Sequence, residues 1–360
     1  MPKFTGKLKS NAIFAALYNM IISQQVFADN IAGTNSALVE MSRVNGGLYG
    51  DTKLYYASDA LKSSAWGNDA EAENLLALHR PNAPECQAIT IDTYRQISLT
   101  VDNYLTKQAW ATEGAFSQFN SVMLGWIGET KRIYDATTFN TYIGTTTAEK
   151  ATQTVEIDVT AAVGDKTGEE KARIEGAAIG QAVADLITDL EDISRDFNDY
   201  GFLRSYNISD LVFAWNAKVL NRVEKRDLPT IYHNDIVQKL GEYVLPARYF
   251  GDAKSGTTAA AGDRSLIEQD CTKSGAATVH VFAGDLVPAG YTVAANSLYV
   301  PNDKIAFKVF HKRSVPFMSG FEVGTSFFNA KSLTENHYLT WGHNTLEYLK
   351  NYPFITVKIK

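Results

Sequence analysis

Cysteine is scarce in this chain. The two that occur among 360 residues, Cys86 and Cys271, stand far apart, with no C-x-x-C and no histidine at metal-ligand spacing. A disulfide scaffold and a cysteine-based zinc site are thereby excluded, and two free thiols in a reducing compartment are expected. No run of 18 apolar residues occurs, so no helical membrane span is expected. Positive charge is not in excess: 34 Lys and Arg against 40 Asp and Glu leave a net charge of −6. That balance lacks the basic footprint of a protein that reads nucleic-acid sequence; if this chain meets DNA, it encloses it. Low complexity is absent too. A composition of 45% hydrophobic and 21% charged residues is that of a folding chain, and at this length about three quarters of the unfolded surface becomes buried.

The recurring catalytic signatures are missing as well: no G-x-S-x-G elbow, no H-E-x-x-H, no G-x-G-x-x-G after a strand, no kinase set. The loop GDAKSGTTAAAGDRS, at residues 251–265, is expected to be a flexible surface loop and has no Gly-Lys-Ser/Thr at phosphate-loop spacing. His337 and His343 lie near Glu335, but a six-residue separation suits neither a helical ligand pair nor adjacent strand positions, so structural histidines are expected. Asn207 and Ser209 satisfy N-x-S, which carries little weight in a chain without convincing secretion. No enzyme, cofactor or metal is expected.

What is present is architecture. Lys3, Lys7 and Lys9 precede NAIFAALYNMII, a signal-like opening whose alternative is an amphipathic helix that docks on the body or on a neighbour. Residues 45–84 are rich in turn formers and exposed aromatics, which suggests an extended excursion with a short strand near residues 52–56. Its return is ITIDTYRQISLTV, at residues 89–101, where apolar and polar positions alternate except at residues 93–95. One strand of that length spans roughly 43 Å, far beyond the usual five or six residues, and so is expected to reach away from its own core.

A long helix, or two joined, is expected over residues 106–142, where Phe116, Phe119, Met123 and Trp126 fall at helical spacing. TQTVEIDVT reads as a strand. Thr167 and Glu170 form a T-x-x-E capping box before a helix over residues 169–197, whose stripe is Ile179, Val183, Leu186, Leu190, Ile193 and Phe197. Residues 165–199 hold ten acidic against four basic residues, including Asp185, Asp189, Glu191 and Asp192; this is read as the solvated face of that helix. A mixed α/β body follows. SDLVFAWNAKVLNRVEK and NDIVQKLGEYV are expected as helices, and ATVHVFAG, YTVAA and KIAFKVF as strands. Residues 332–360 are expected to return to a core. No internal repeat is seen.

The succession ITIDTYRQISLTVDNYLTKQAW, FNSVMLGWIGETKRIYDATTFNTYIGTT, SDLVFAWNAKVLNRVEK and SLTENHYLTWGHNTLEYLKNYPFITV resembles the major capsid proteins of tailed bacteriophages with the Hong Kong 97 fold, most of all those of small short-tailed phages. The resemblance covers nearly the whole chain in element order and rests on no single short motif. It implies an α+β fold with an N-terminal arm (1–45), an extended loop or E-loop (46–100), a spine helix and peripheral domain (101–165), an axial domain (166–310) and C-terminal strands rejoining the peripheral domain (311–360). It further implies a non-enzymatic shell subunit forming hexamers and pentamers, with portal and scaffolding or decoration proteins as partners. The shell would enclose double-stranded DNA without reading it, touch no membrane, and be assembled in the bacterial cytoplasm. Tyr55, Tyr56, Trp66, Ile89, Ile91 and Arg95 are the expected interface residues, and Lys3, Lys7 and Lys9 the expected lumen-facing ones. The odd face of the long strand is expected to be covered partly by another subunit. Two rivals stand beside this: an encapsulin-like nanocompartment shell and an exported surface protein.

Overall fold

The computed structural model describes residues 36–47, 50–63, 78, 80–102, 113–221 and 241–360. The described chain runs as a short helix α1 (Ser36–Ser42), strands β1 (Arg43–Asn45), β2 (Thr52–Ala57) and β3 (Glu85–Asp102), the long helix α2 (Glu113–Thr145), β4 (Thr154–Ile157), and helix α3 (Gly168–Glu191). Then come β5 (Leu211–Asn216) and β6 (Gly241–Leu245), the small strands β7 (Gly251–Lys254), β8 (Arg264–Ser265), β9 (Gln269–Cys271), β10 (Val279–Val281) and β11 (Leu298–Pro301), and finally β12 (Ile305–His311), β13 (Phe317–Asn329), β14 (Thr334–Asn344) and β15 (Phe354–Ile359).

The main core surrounds the mixed sheet β4-β15-β12-β5-β6. Alternation along β5 sends Phe213 and Trp215 to one face, where α3 contributes Ile179, Val183, Leu186 and Leu190. Val212 and Ala214 go to the other, against Leu38 and Val39 of α1 and Phe139 and Ile143 of α2. Each fully buried side chain of this size stabilises the fold by about 1.5–3 kcal/mol. The helix expected over SDLVFAWN is therefore a strand. Its six buried residues pair antiparallel with β12 and parallel with β6, and a continuous apolar run reads alike for a buried helix and a central strand. The end of NDIVQKLGEYV is likewise the strand β6. This sheet joins strands from the segments expected to belong to the peripheral, axial and C-terminal parts, so the core is shared across those boundaries.

α3 begins at the expected place, with Thr167 at its N-cap, but the Thr167 side chain makes no capping bond; Glu170 instead pairs with Lys166 at 3.0 Å. The helix also stops at Glu191, leaving Ile193 exposed rather than on the buried stripe. On α2, Met123 is buried whereas Trp126 is largely exposed.

The other large sheet has the order β1-β13-β14-β3-β2. β3 is 18 residues long, about 60 Å at the usual rise, and is paired by its own chain throughout. β2 bonds residues 85–90 and β14 bonds residues 91–102. A register shift opposite His343 and Asn344 falls beside the break in alternation at residues 93–95. Between the sheets, β7-β11-β8 and β9-β10 form a lobe with a small core of Ala259, Cys271, Val281, Val287, Val293 and Leu298. The expected flexible loop at 251–265 is pinned into this lobe. Its ends are β7 and β8, and Lys254 reaches the buried Asp263 at 2.6 Å. Gly144 seats the lobe on α2, because a Cβ there would lie 2.2 Å from the Tyr249 carbonyl oxygen.

Candidate assembly surfaces

β2 is the outgoing limb of the extended excursion, and its alternation divides the two tyrosines. Tyr55 packs against Ile89, Ile91, Met318 and Leu349, and burial pushes its hydroxyl pKa up. Tyr56 points outward, 66% exposed, with Leu54 on the same face. Ile89 and Ile91 are buried within their own chain. The expectation that a neighbour covers them is thus corrected: the start of β13 and the segment before β15 supply that cover. Trp66, Lys3, Lys7 and Lys9 lie outside the described residues.

Arg95 is an internal strut. Its guanidinium stands 5.1 Å over the Tyr134 ring of α2, Nε donates to Tyr134 Oη at 3.3 Å, and Nη2 donates to the Glu268 carbonyl at 3.0 Å. The odd face of β3 is therefore turned toward α2 at this point, where the chain itself supplies its contacts. These groups line a cleft of about 580 Å³ between α2, the long sheet and the lobe, together with His343, Thr138, Asp252 and Leu266. His343 lies 2.7 Å from Tyr134 Oη through Nε2 and 2.8 Å from the Asn344 carbonyl through Nδ1. The carbonyl can only accept, so Nδ1 donates; burial lowers the ring's pKa and holds it neutral, leaving Nε2 to accept from the tyrosine. His337, six residues away along β14 and so about 20 Å distant, meets Glu335 at 3.8 Å. Among the described residues no cluster of His, Cys, Asp and Glu is arranged for a metal.

The root of the excursion is held where β2 ends. The Asp59 carboxylate accepts from Arg195 Nη1 at 2.8 Å and from the Leu203 amide at 3.0 Å, while Arg204 Nη2 donates to the Ser58 carbonyl at 2.6 Å. The Leu203 amide and the Arg195 guanidinium bring the Asp59 pKa down to about 2.

Two features have little trace in the sequence. Lys308 sits inside the apolar strand KIAFKVF, wholly buried, donating to the Thr146 carbonyl at the end of α2 and 5.7 Å from the Phe354 ring. Desolvation, with the nearby Lys358 charge, lowers its pKa to about 7. The only sequence signal is one lysine in an unbroken hydrophobic strand. The other is the outer half of β13, where residues 321–329 are all exposed, Phe327 and Phe328 included.

A doubly covered core, a long sheet strutted to it and exposed aromatic side chains on its outer strands describe a structural subunit with no assembled catalytic constellation among the described residues. The family model of the Phi29-like phage major capsid protein matches residues 7–356, and the chain belongs to that family. It is a structural protein of the phage head shell, located in the virion capsid. Among solved structures it is similar to a chain of the capsid structure of Staphylococcus phage Andhra, with a TM-score of 0.62 and 11% identity, covering 100% of this chain and 94% of that one. It is also similar to a chain in the structure of head fiber and inner core protein gp22 of native bacteriophage P68, with a TM-score of 0.62 and 10% identity, covering 94% of this chain and 88% of that one. A third likeness, to the asymmetric unit of the bacteriophage PhiM1 mature capsid, has a TM-score of 0.50 and 12% identity over 95% and 91% of the two chains. No curated protein matches. The family match favours neither the nanocompartment nor the exported-protein reading.

Proposed function

We propose that this chain tiles a closed icosahedral shell of the Hong Kong 97 type as hexamers and pentamers, enclosing double-stranded DNA without reading its sequence. The family match across residues 7–356 carries this reading. Residues 46–100 act as the E-loop, 101–165 and 311–360 build the peripheral domain around the spine helix α2, and 166–310 form the axial domain. Tyr56 and Trp66 are the anchors the E-loop offers to a neighbour, since tyrosine and tryptophan carry much interface energy. Lys3, Lys7 and Lys9 meet the DNA side locally, which a net charge of −6 does not oppose. The subunit is non-enzymatic, uses no cofactor, and works with a portal and with scaffolding or decoration proteins in the host cytoplasm.

Negative-stain microscopy of the purified chain, alone and with its scaffolding partner, is expected to show closed shells tens of nanometres across; a persistent monomer under both conditions overturns the reading. Deleting residues 1–10 is expected to abolish or misdirect assembly, checked by the same images. Normal shells from the truncated chain would remove the arm from the mechanism.

A further inference from the structure

Where α1 runs into β1, the chain meets the middle of α2 and the face of the long sheet, and together they enclose a pocket of about 260 Å³. Its charged lining is balanced, with Arg43, Lys131 and Arg132 against Glu40, Asp135 and Glu322. Asp135 is only 5% exposed. Its Oδ2 faces Arg43 Nη2 at 3.5 Å and Lys131 Nζ at 3.8 Å, which compensates the charge, while Oδ1 is covered and has no hydrogen-bond partner among the described residues. Arg43 donates through Nη1 to Ser319 Oγ at 3.2 Å and through Nη2 to Glu40 at 2.9 Å; its Nε is likewise covered and without a partner. A buried oxygen that needs a donor and a buried N–H that needs an acceptor thus belong to side chains lining one pocket. Both are parts of charged groups, for which an unmet bond is most costly.

The pair selects a chemical class. A carboxylate would answer Arg43 and be repelled by Asp135; an ammonium would answer Asp135 and be repelled by Arg43 and Lys131. A hydroxyl is neutral but puts donor and acceptor on a single atom. A carboxamide is neutral and carries an N–H donor and a C=O acceptor on separate atoms, one for each group. Size narrows the source. Sites that take whole small molecules run from about 300 to 1,000 Å³, and this pocket is nearer the scale of one inserted side chain. Gly128, a poor helix residue, forms part of its wall; a Cβ there would meet nothing within 4 Å, so a second backbone can come close to α2. Leu124, one turn earlier on the same face, is exposed and offers apolar support beside the opening.

We propose that this pocket receives the side-chain carboxamide of an asparagine or glutamine presented by another polypeptide, its N–H on Asp135 Oδ1 and its C=O on Arg43 Nε. The selectivity of the pocket does not rest on the shell reading; its occupation in particles does.

Three probes of one shape, propionamide, propionate and propylammonium, test the selectivity when titrated into the isotope-labelled subunit and followed through the NMR signals of Arg43, Gly128 and Asp135. Propionamide is expected to saturate with a Kd of about a millimolar and to bind about tenfold tighter than either ion. Gly128→Leu improves the helix and fills the pocket without altering Asp135 or Arg43; it is expected to keep the melting temperature, lose the propionamide response and lower particle yield. No saturable response, equal responses to the three probes, or full propionamide binding by Gly128→Leu overturns the site. A cryo-EM map of the particle tests the partner: a carboxamide from a second chain is expected at hydrogen-bond distance from both atoms. Solvent alone there, or an amide of the same chain, overturns the polypeptide partner. Failure of the unaltered chain to form particles with its scaffolding partner overturns the shell reading, and the particle-bound partner with it, while the subunit titration still decides the pocket.

Discussion

β5, inside one five-stranded sheet, has all six residues buried, while the outer half of β13, in the other sheet, has none. Both segments are rich in phenylalanine and in β-branched or small residues, so intrinsic strand preference does not separate them. Cover does. The first sheet is closed by α3 on one face and by α1 and α2 on the other; the second is strutted to α2 through Arg95 and Tyr134 and then runs past its support. Equal side chains therefore have unequal surroundings: in the first sheet they hold the subunit together, and in the second they face solvent.

The largest expected effect breaks that comparison at one residue type. Phe213→Ala removes a fully buried ring that packs 6.1 Å from Phe307 and is expected to cost about 3–5 kcal/mol, read as a fall in the urea midpoint of the unassembled subunit. Phe327→Ala, on the exposed outer half of β13, is expected to change subunit stability by no more than about 0.5 kcal/mol and to lower particle yield instead. If the two variants lost stability equally, the division between holding and contacting residues would be wrong.

A smaller effect concerns Lys308, an ionisable group wholly buried in the covered sheet. The folded chain holds this amine neutral above about pH 7, whereas its ordinary value is 10.5; the unfolded chain binds the proton across that window and the folded one does not. Stability therefore rises with pH between 7 and 9.5, by on the order of 1.4 kcal/mol per unit at most. Nearby Lys358 favours the neutral amine and Asp252 opposes it. Above pH 10 the sign reverses, because burial raises the pKa values of Tyr142, Tyr206 and Tyr299 and the unfolded chain ionises first. Urea midpoints at pH 6, 7.5 and 9 are expected to climb for the unaltered subunit and to stay level for Lys308→Met. Equal slopes would show that the amine is charged in the fold.

The same contrast explains what was legible in the sequence. α3 and the long β3 show in their periodicity because each has a covered face and a more open one along its length. β5 does not: buried on both sides, it loses its alternation and reads as a helix. Ile89 and Ile91 display the expected strand pattern, but a pattern says only that a face is covered and not by whom; Met318 and Leu349 lie far away in sequence. The open edge of β13 was invisible for a related reason. Phe327 and Phe328 are adjacent apolar residues, ordinarily a core signal, and only the topology shows β14 on one side of them and, among the described residues, no strand on the other.

The smallest expected effect is at Asp59, where the excursion leaves the covered part of the molecule. Its carboxylate, tied to Arg195 and to the Leu203 amide, has its pKa lowered to about 2 from 3.8, so the stabilisation it supplies is present above pH 4 and is lost as pH falls through 2. Arg195 is half-exposed and salt screens the pair, so Asp59→Asn is expected to leave the neutral-pH melting temperature within a degree or two. What should move is the limb it anchors. The asparagine amide keeps one acceptor oxygen for the Leu203 amide but sets an NH2 group against the Arg195 guanidinium, and hydrogen exchange over residues 52–63 is expected to quicken while residues 211–216 stay protected. Equal quickening in both segments would mean that the clamp supports the whole subunit, and that the boundary between the covered sheet and the reaching limb does not fall at Asp59.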